Sequence, residues 1–256
     1  MNSSDKNLLV IEKALSQFYQ RRIEKLSEND IFRILKRKNP YLYRAFGTND
    51  GYNFVRDLLM DTQTSSDETL FGDFFEEVAI NITPNGRKSS TDSIDLEVWS
   101  EDMKSVKLYA VKSGPNVFNA MSKKRQNDAF QESQKRLKGI AVTPIVGYSY
   151  GRRKTTKENK NVFEEVAGQL FWKELTGDEN FYIKLIDYIG MVADEHKESF
   201  KSEWDKCLNK LFKKFMDVFG NEDGSLNWEE ILKFNSSSEN STVINKKIKM
   251  AREGKI

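Results

Sequence analysis

The apolar positions of this chain recur with two different periods, and the change between them divides it. Leu8, Ile11, Leu15, Phe18, Ile23 and Leu26 fall at helical spacing, which predicts an amphipathic helix over residues 7–26. Ser27 and Asp30 are cap-type residues for a second helix running to about Leu35, and Asn39-Pro40 with Gly47 breaks that run. Another helix is predicted from Leu70, where Phe71, Phe74, Phe75, Val78 and Ile82 form an apolar face with Glu76 and Glu77 near its middle. The period then drops to two. After a turn rich in Gly, Ser and Thr (NGRKSSTDS), Ile94, Leu96 and Val98 alternate with Asp95, Glu97 and Trp99, the pattern of a half-buried strand. The polar run from Ser100 to Ser105 can reverse the chain, and VKLYAVK returns as a second strand ending at Lys112.

Beyond Gly114-Pro115 a polar, basic helix is predicted over about residues 117–137, and TPIVGYSYG reads as a further strand closed by Gly151. The stretch FEEVAGQLFWKELTG reads as one strong helix, with Lys173 in its last turn and Gly177 just beyond. From about Phe181 the remainder is mainly helical, with a loose polar stretch (NSSSENST) after Phe234. This order predicts an α/β fold: a mixed central sheet flanked by helices, with helical N- and C-terminal regions. The expected division is a helical region over 1–65, an α/β core over 66–190 and a helical region over 191–256, all in one compact unit.

Composition narrows the chemistry. A chain of 256 residues, 38% hydrophobic and 31% charged, reads as a soluble globular protein able to bury a sizeable core. No apolar run approaches the roughly 18 residues of a membrane span, and the N-terminus lacks the charged and apolar regions of a secretory signal. A single cysteine, Cys207, cannot form an internal disulfide, which fits a reducing cytoplasm. With one Cys and one His (His196), a Cys/His zinc site and a Ser-His-Asp triad are both disfavoured. Hydrolysis here would have to run on carboxylates, lysine and a hard cation.

The net charge of +2 does not advertise a nucleic-acid binder, but its placement does. Basic clusters at Arg87-Lys88, Lys123-Lys124-Arg125 and Arg152-Arg153-Lys154 flank the two strands, with Ser89, Ser90, Asn116 and Gln126 nearby to reach phosphate or base edges. Cleaving a phosphodiester needs oxygen ligands for Mg²⁺ and a cation near the scissile phosphate. Asp95 and Lys112, on strands joined by a hairpin, could supply both, with a glutamate from the preceding helix. Taken alone, the same residues are also those of an exposed cross-strand pair and a solvated helix face.

Four ordered segments favour the catalytic reading. NPYLYRAFG (39–47), FGDFFEE (71–77), IDLE (94–97) and KSGPN (112–116) together resemble a group of type II restriction endonucleases in the PD-(D/E)XK superfamily, over roughly residues 39–190. The resemblance implies a metal-binding role for Asp95 and a catalytic role for Lys112. One position departs from the superfamily pattern, which places an acid two residues before the lysine; this chain has Ala110. The resemblance implies that the second carboxylate then comes from the preceding helix, Glu77 by a narrow preference or Glu76, with Glu97 a weaker candidate. It further implies one or two Mg²⁺ ions, in-line attack of water on phosphorus, and 5′-phosphate and 3′-hydroxyl products. The DNA-facing set is then Arg87, Lys88, Ser89, Ser90, Ser113, Asn116, Lys123, Lys124, Arg125, Arg152 and Arg153, with the basic helix after KSGPN as the main element. The expected partners are double-stranded DNA, a second copy in a homodimer, no membrane, and functionally a DNA methyltransferase.

The competing expectations are a repair or structure-specific nuclease on the same scaffold, and a catalytically inactive DNA-binding protein, motivated by Ala110. Two other features are read as structural. FGNEDGSLNWEE has some ligands of an EF-hand loop but puts Phe219 at the first ligand position, so it reads as a turn before a short helix. The aromatic cluster from Phe163 to Trp172 reads as core packing.

Overall fold

A computed structural model of the chain describes residues 3–152, 162–238 and 241–256. Along them run α1 (Ser3–Ser27), α2 (Ile31–Leu35), α3 (Pro40–Ala45), α4 (Gly51–Ile82), β1 (Gly86–Lys88), β2 (Leu96–Trp99), β3 (Ser105–Lys112), α5 (Ala120–Arg136), β4 (Ala141–Tyr148), β5 (Glu164–Ala167), α6 (Gln169–Thr176), α7 (Phe181–Phe219), α8 (Trp228–Ser236) and α9 (Thr242–Arg252). They group into two units, Met1–Phe18 with Thr69–Glu195 and Tyr19–Glu68 with His196–Ile256.

The first unit holds a five-stranded mixed sheet in the order β1-β2-β3-β4-β5. β1–β2 and β2–β3 pair antiparallel through short connections, whereas β3–β4 and β4–β5 pair parallel. The parallel β3–β4 pair needs a crossover, and α5 supplies it. One sheet face buries Val106, Leu108, Ala110, Val146 and Tyr148 against Phe130 of α5 and Phe163. The other meets α6: the Phe171 ring lies against Gly147, and Trp172 Nε1 donates to the Ser149 carbonyl at 2.8 Å. β3 is thus covered on both sides toward Lys112, with Leu108 to Val111 all buried. The predicted strand pair, the basic helix and the strand ending before Gly151 are all present, in the α/β arrangement expected.

Two local expectations are corrected. The helix predicted over 163–177 is split: Glu164–Ala167 is strand β5, and only Gln169–Thr176 is helical. Phe163, Glu165 and Ala167 point inward and Glu164 outward, a period of two, and Gly168 at φ +54° turns the chain before α6 begins. The turn NGRKSSTDS contains β1, an edge strand with Gly86 opposite Val98. Asn39-Pro40 does break the helical run, which ends at Leu35, and it also starts the next helix: the Asn39 side chain accepts from Tyr41 N and Leu42 N, and Pro40 occupies the first helical turn, where its missing N–H costs nothing.

The second unit is helical. Its core joins Ile31, Phe32 and Leu35 of α2 to Phe54 and Leu58 of α4, Phe215 and Phe219 of α7, Ile231 of α8 and Ile248 of α9. Asp30 caps α2 by accepting from Phe32 N and Arg33 N. The EF-hand-like stretch is a turn, as expected: Asp223 accepts from both the backbone N–H and the hydroxyl of Ser225, Gly224 takes φ +81°, and α8 follows from its cap Asn227.

Candidate active site

The register of the β2–β3 hairpin builds the site. Leu96 lies opposite Tyr109, which brings Asp95, just ahead of β2, level with the Lys112 end of β3. The Asp95 N–H donates to the Tyr109 carbonyl at 2.8 Å, and its carbonyl accepts from Ser89 N at 3.1 Å. Its side chain continues the ladder: Oδ2 accepts from Val111 N at 2.7 Å. A backbone donor therefore sets the position of this carboxylate. Lys112 Nζ lies 3.6 Å from the same oxygen, and the two side chains are 27% and 16% exposed, so the pair is neither buried nor freely solvated.

Helix α4 adds Glu76. Its carboxyl is held above the usual carboxylate range, first by burial and then by the negative charge of Asp95; Lys88 and Lys112 oppose the shift and Asp73 adds to it. Lys88 Nζ, on exposed β1, approaches Glu76 Oε1 to 3.7 Å. Glu76, Asp95 and Lys112 thus share one electrostatic environment. Glu77 is half-buried one residue on, about 100° further round the helix. Glu97 has a different surrounding: Oε1 accepts from the Ser89 hydroxyl at 2.7 Å and Oε2 from Trp99 Nε1 at 3.0 Å, so each oxygen already has a protein donor. Among the described residues no three His, Cys, Asp or Glu side chains gather closely enough to hold an ion by themselves. Ala110, two residues before Lys112, is fully buried in the core against α5.

The basic residues lie around this cluster in different states. Arg87, Lys88 and Ser90 are exposed on and beside β1, while Ser89 is tied to Glu97. Ser113 is half-buried, with its carbonyl accepting from Tyr150 N at 3.2 Å, and Asn116 is exposed. Lys123 (half-buried), Lys124 and Arg125 (both exposed) ride the first turns of α5, which Asn119 caps through a reciprocal pair with Ser122. Arg152 is exposed; Arg153 and Lys154 lie outside the described residues. Gln126 does not reach outward. It is buried, and its Nε2 donates to the Ser93 carbonyl at 2.8 Å, anchoring α5 to the loop before Asp95. The aromatics from Phe163 to Trp172 are core, as expected, with Phe163, Phe171 and Trp172 all buried.

Sequence reasoning missed the Val111 N–H, which no side-chain motif can show, and the buried Glu165, which accepts from the Tyr148 hydroxyl at 2.8 Å. FEEVA carried no deciding signal for Glu165, because its apolar positions fit a strand and a helix alike.

The family model described as type II restriction endonuclease EcoO109I matches residues 6–197, a span that contains Glu76, Asp95, Lys112 and the whole sheet. No curated protein matches the chain. Among the described residues no helix is long and apolar enough to cross a membrane.

Proposed function

The chain belongs to the type II restriction endonuclease EcoO109I family, and from that premise we propose that it makes sequence-specific double-strand cuts in DNA by Mg²⁺-dependent phosphodiester hydrolysis. The observation that carries the reading is the convergence of Glu76, Asp95 and Lys112 at one end of β3. The donor set suits a hard cation. It offers only oxygen, and the charge of Asp95 already disfavours ionised Glu76, a conflict that a divalent ion relieves. Two carboxylates are enough, because Mg²⁺ is commonly held by one or two carboxylates together with waters and substrate phosphates. Glu76 is therefore proposed as the helix ligand in preference to Glu77, and Glu97 is assigned to holding Ser89 and Trp99 in place.

Bound there, the ion would acidify water and offset the charge that develops on the phosphate. The protein's own groups have separate tasks. The Val111 N–H fixes one oxygen of Asp95. The Lys112 ammonium, 3.6 Å from that oxygen, is placed to orient the attacking water and to stabilise the crowded phosphorus of the transition state. In-line attack would leave a 5′-phosphate and a 3′-hydroxyl. Arg87, Lys88, Lys124, Arg125 and Arg152, exposed around the cluster, would hold the DNA backbone, with α5 as the element that reads bases. Cutting both strands of a two-fold site suits a homodimer. A restriction enzyme of this kind would act in a prokaryotic cytoplasm beside a protective methyltransferase.

The buried Ala110 motivates a second reading, a DNA-binding protein without cleavage. One experiment separates the two: digestion of unmethylated phage-length DNA with Mg²⁺ and, in parallel, with EDTA. Discrete Mg²⁺-dependent fragments are expected. Intact DNA with a clear gel shift would leave only the second reading.

A further inference from the structure

The turn that leaves Lys112 is built on contacts that tolerate no extra atom. Gly114 is buried, and a methyl group on its α-carbon would lie 2.3 Å from Tyr150 Cζ and 2.4 Å from the Tyr150 hydroxyl oxygen. The neighbouring contact is its mirror in kind. Gly151, at φ +99°, would place a methyl 2.9 Å from Pro115 Cγ. Gly168, at φ +54°, is packed against the Gly151 carbonyl, where a methyl would come to 2.7 Å. Backbone bonds follow the same path: Ser149 N donates to the Lys112 carbonyl at 2.8 Å, Tyr150 N to the Ser113 carbonyl at 3.2 Å, and Gly168 N to the Tyr148 carbonyl at 2.9 Å. The exits of three adjacent parallel strands, β3, β4 and β5, are therefore laced together immediately beyond the lysine.

Within this lacing Tyr150 is the unusual member. It is 59% exposed, yet the hydroxyl end of its ring covers Gly114. A large aromatic left this open adds little to the core, and its hydroxyl end meets the turn between Lys112 and the start of α5 at Gly114. We propose that Tyr150 is a positioning residue for the cleavage reaction, its ring pinning Gly114 so that Lys112 and the DNA-facing α5 keep a fixed relation. The inference rests on the nuclease reading above. Its physical basis is that a reacting group displaced by about 1 Å loses on the order of a hundredfold in rate, and the ring adds a side-chain contact at Gly114 to the Tyr150–Ser113 backbone bond and the Gly151–Pro115 contact that hold the same turn.

The test is a size-complementation series of Gly114→Ala, Tyr150→Ala, Tyr150→Phe and the double variant G114A/Y150A. Single-turnover cleavage at saturating DNA, DNA binding in EDTA and Tm are measured for each beside the wild type. Y150A is expected to slow cleavage about tenfold with DNA binding nearly unchanged, and G114A about a hundredfold, as the added methyl forces the ring or the turn aside. Y150F should keep most of the wild-type rate, because Cζ and Cε2 still cover Gly114 when the hydroxyl oxygen is removed. In the double variant the methyl gains room, so its rate should climb back from that of G114A to that of Y150A. A G114A enzyme as fast as the wild type, or a double variant no faster than G114A, would overturn the proposal. A wild type that cuts nothing would instead sink the nuclease reading, and the ring–glycine contact would then be judged by whether the double variant recovers the Tm lost in G114A.

Discussion

Strand β3 carries a lysine toward each end, each facing a carboxylate, and the two pairs are built differently. Lys107 Nζ lies 2.7 Å from Glu174 Oε1, and the same oxygen accepts from the Tyr109 hydroxyl at 2.8 Å. Burial, and then the charge of Glu174, push the Tyr109 phenol far above its ordinary range, so it remains a donor at any physiological pH. One carboxylate is matched there by one cation and one buried hydroxyl. At the other end Lys112 stands 3.6 Å from Asp95, too far for a direct hydrogen bond, and Glu76 brings a second carboxylate under strain from burial and from the first. The nearest other cation, Lys88, is mostly solvent-exposed. Each end sets a lysine beside a carboxylate, and the two differ in how fully that carboxylate is matched. A satisfied pair stabilises the sheet, whereas a pair with surplus negative charge is arranged for something that arrives later.

The sharpest way to break this contrast is Asp95→Ala, which is expected to cut Mg²⁺-dependent cleavage by on the order of a thousandfold or more in single-turnover assays, since it removes the central ligand. Lys112→Ala should follow, losing about a hundredfold to a thousandfold in rate while still retarding DNA on a gel. Glu76→Gln should slow cleavage about tenfold or more at limiting Mg²⁺, whereas Glu77→Gln stays near wild type; equal loss in both would undo the choice between them. The same Glu76→Gln change has an opposite effect on stability. A carboxyl whose folded pKa is raised binds protons more tightly when folded, so stability falls as pH rises through the window between its unfolded and folded values. Above that window the ionised group opposes folding, and metal-free E76Q should melt at or above the wild-type temperature at pH 7. At the saturated end the pattern reverses. Glu174→Ala orphans the buried Tyr109 hydroxyl and should cost about 1–3 kcal/mol of stability, visible as a lower Tm, with the cleavage rate unchanged.

What the sequence made legible follows from how local each signal is. The hairpin reads clearly because the five residues from Ile94 to Val98 alternate and a polar turn follows Trp99. The pairing of Asp95 with Lys112 is a consequence of that hairpin and of the ordered motifs around it. β5 was illegible because FEEVAG is too short to distinguish periods: Phe163, Glu165 and Ala167 satisfy a strand, while Phe163, Val166 and Ala167 satisfy a helix. β1 has no apolar residue at all, and only its register with β2 makes it a strand. Asn39-Pro40 showed the break but not the helix it begins, because a helix breaker and a helix start use the same two residues. The choice between Glu76 and Glu77 depends on how α4 is rotated against the sheet, a tertiary property with no trace in two adjacent identical residues.

The most direct measurement compares Lys112→Ala with Lys107→Ala on one unmethylated DNA substrate, scoring Mg²⁺-dependent cleavage and, in EDTA, DNA binding. Both variants remove one lysine from one strand, so overall charge and strand propensity are matched. The account predicts that K107A cuts like the wild type and that K112A binds DNA but leaves it intact. Cleavage by K112A at the wild-type rate, or equal loss in both variants, would contradict it.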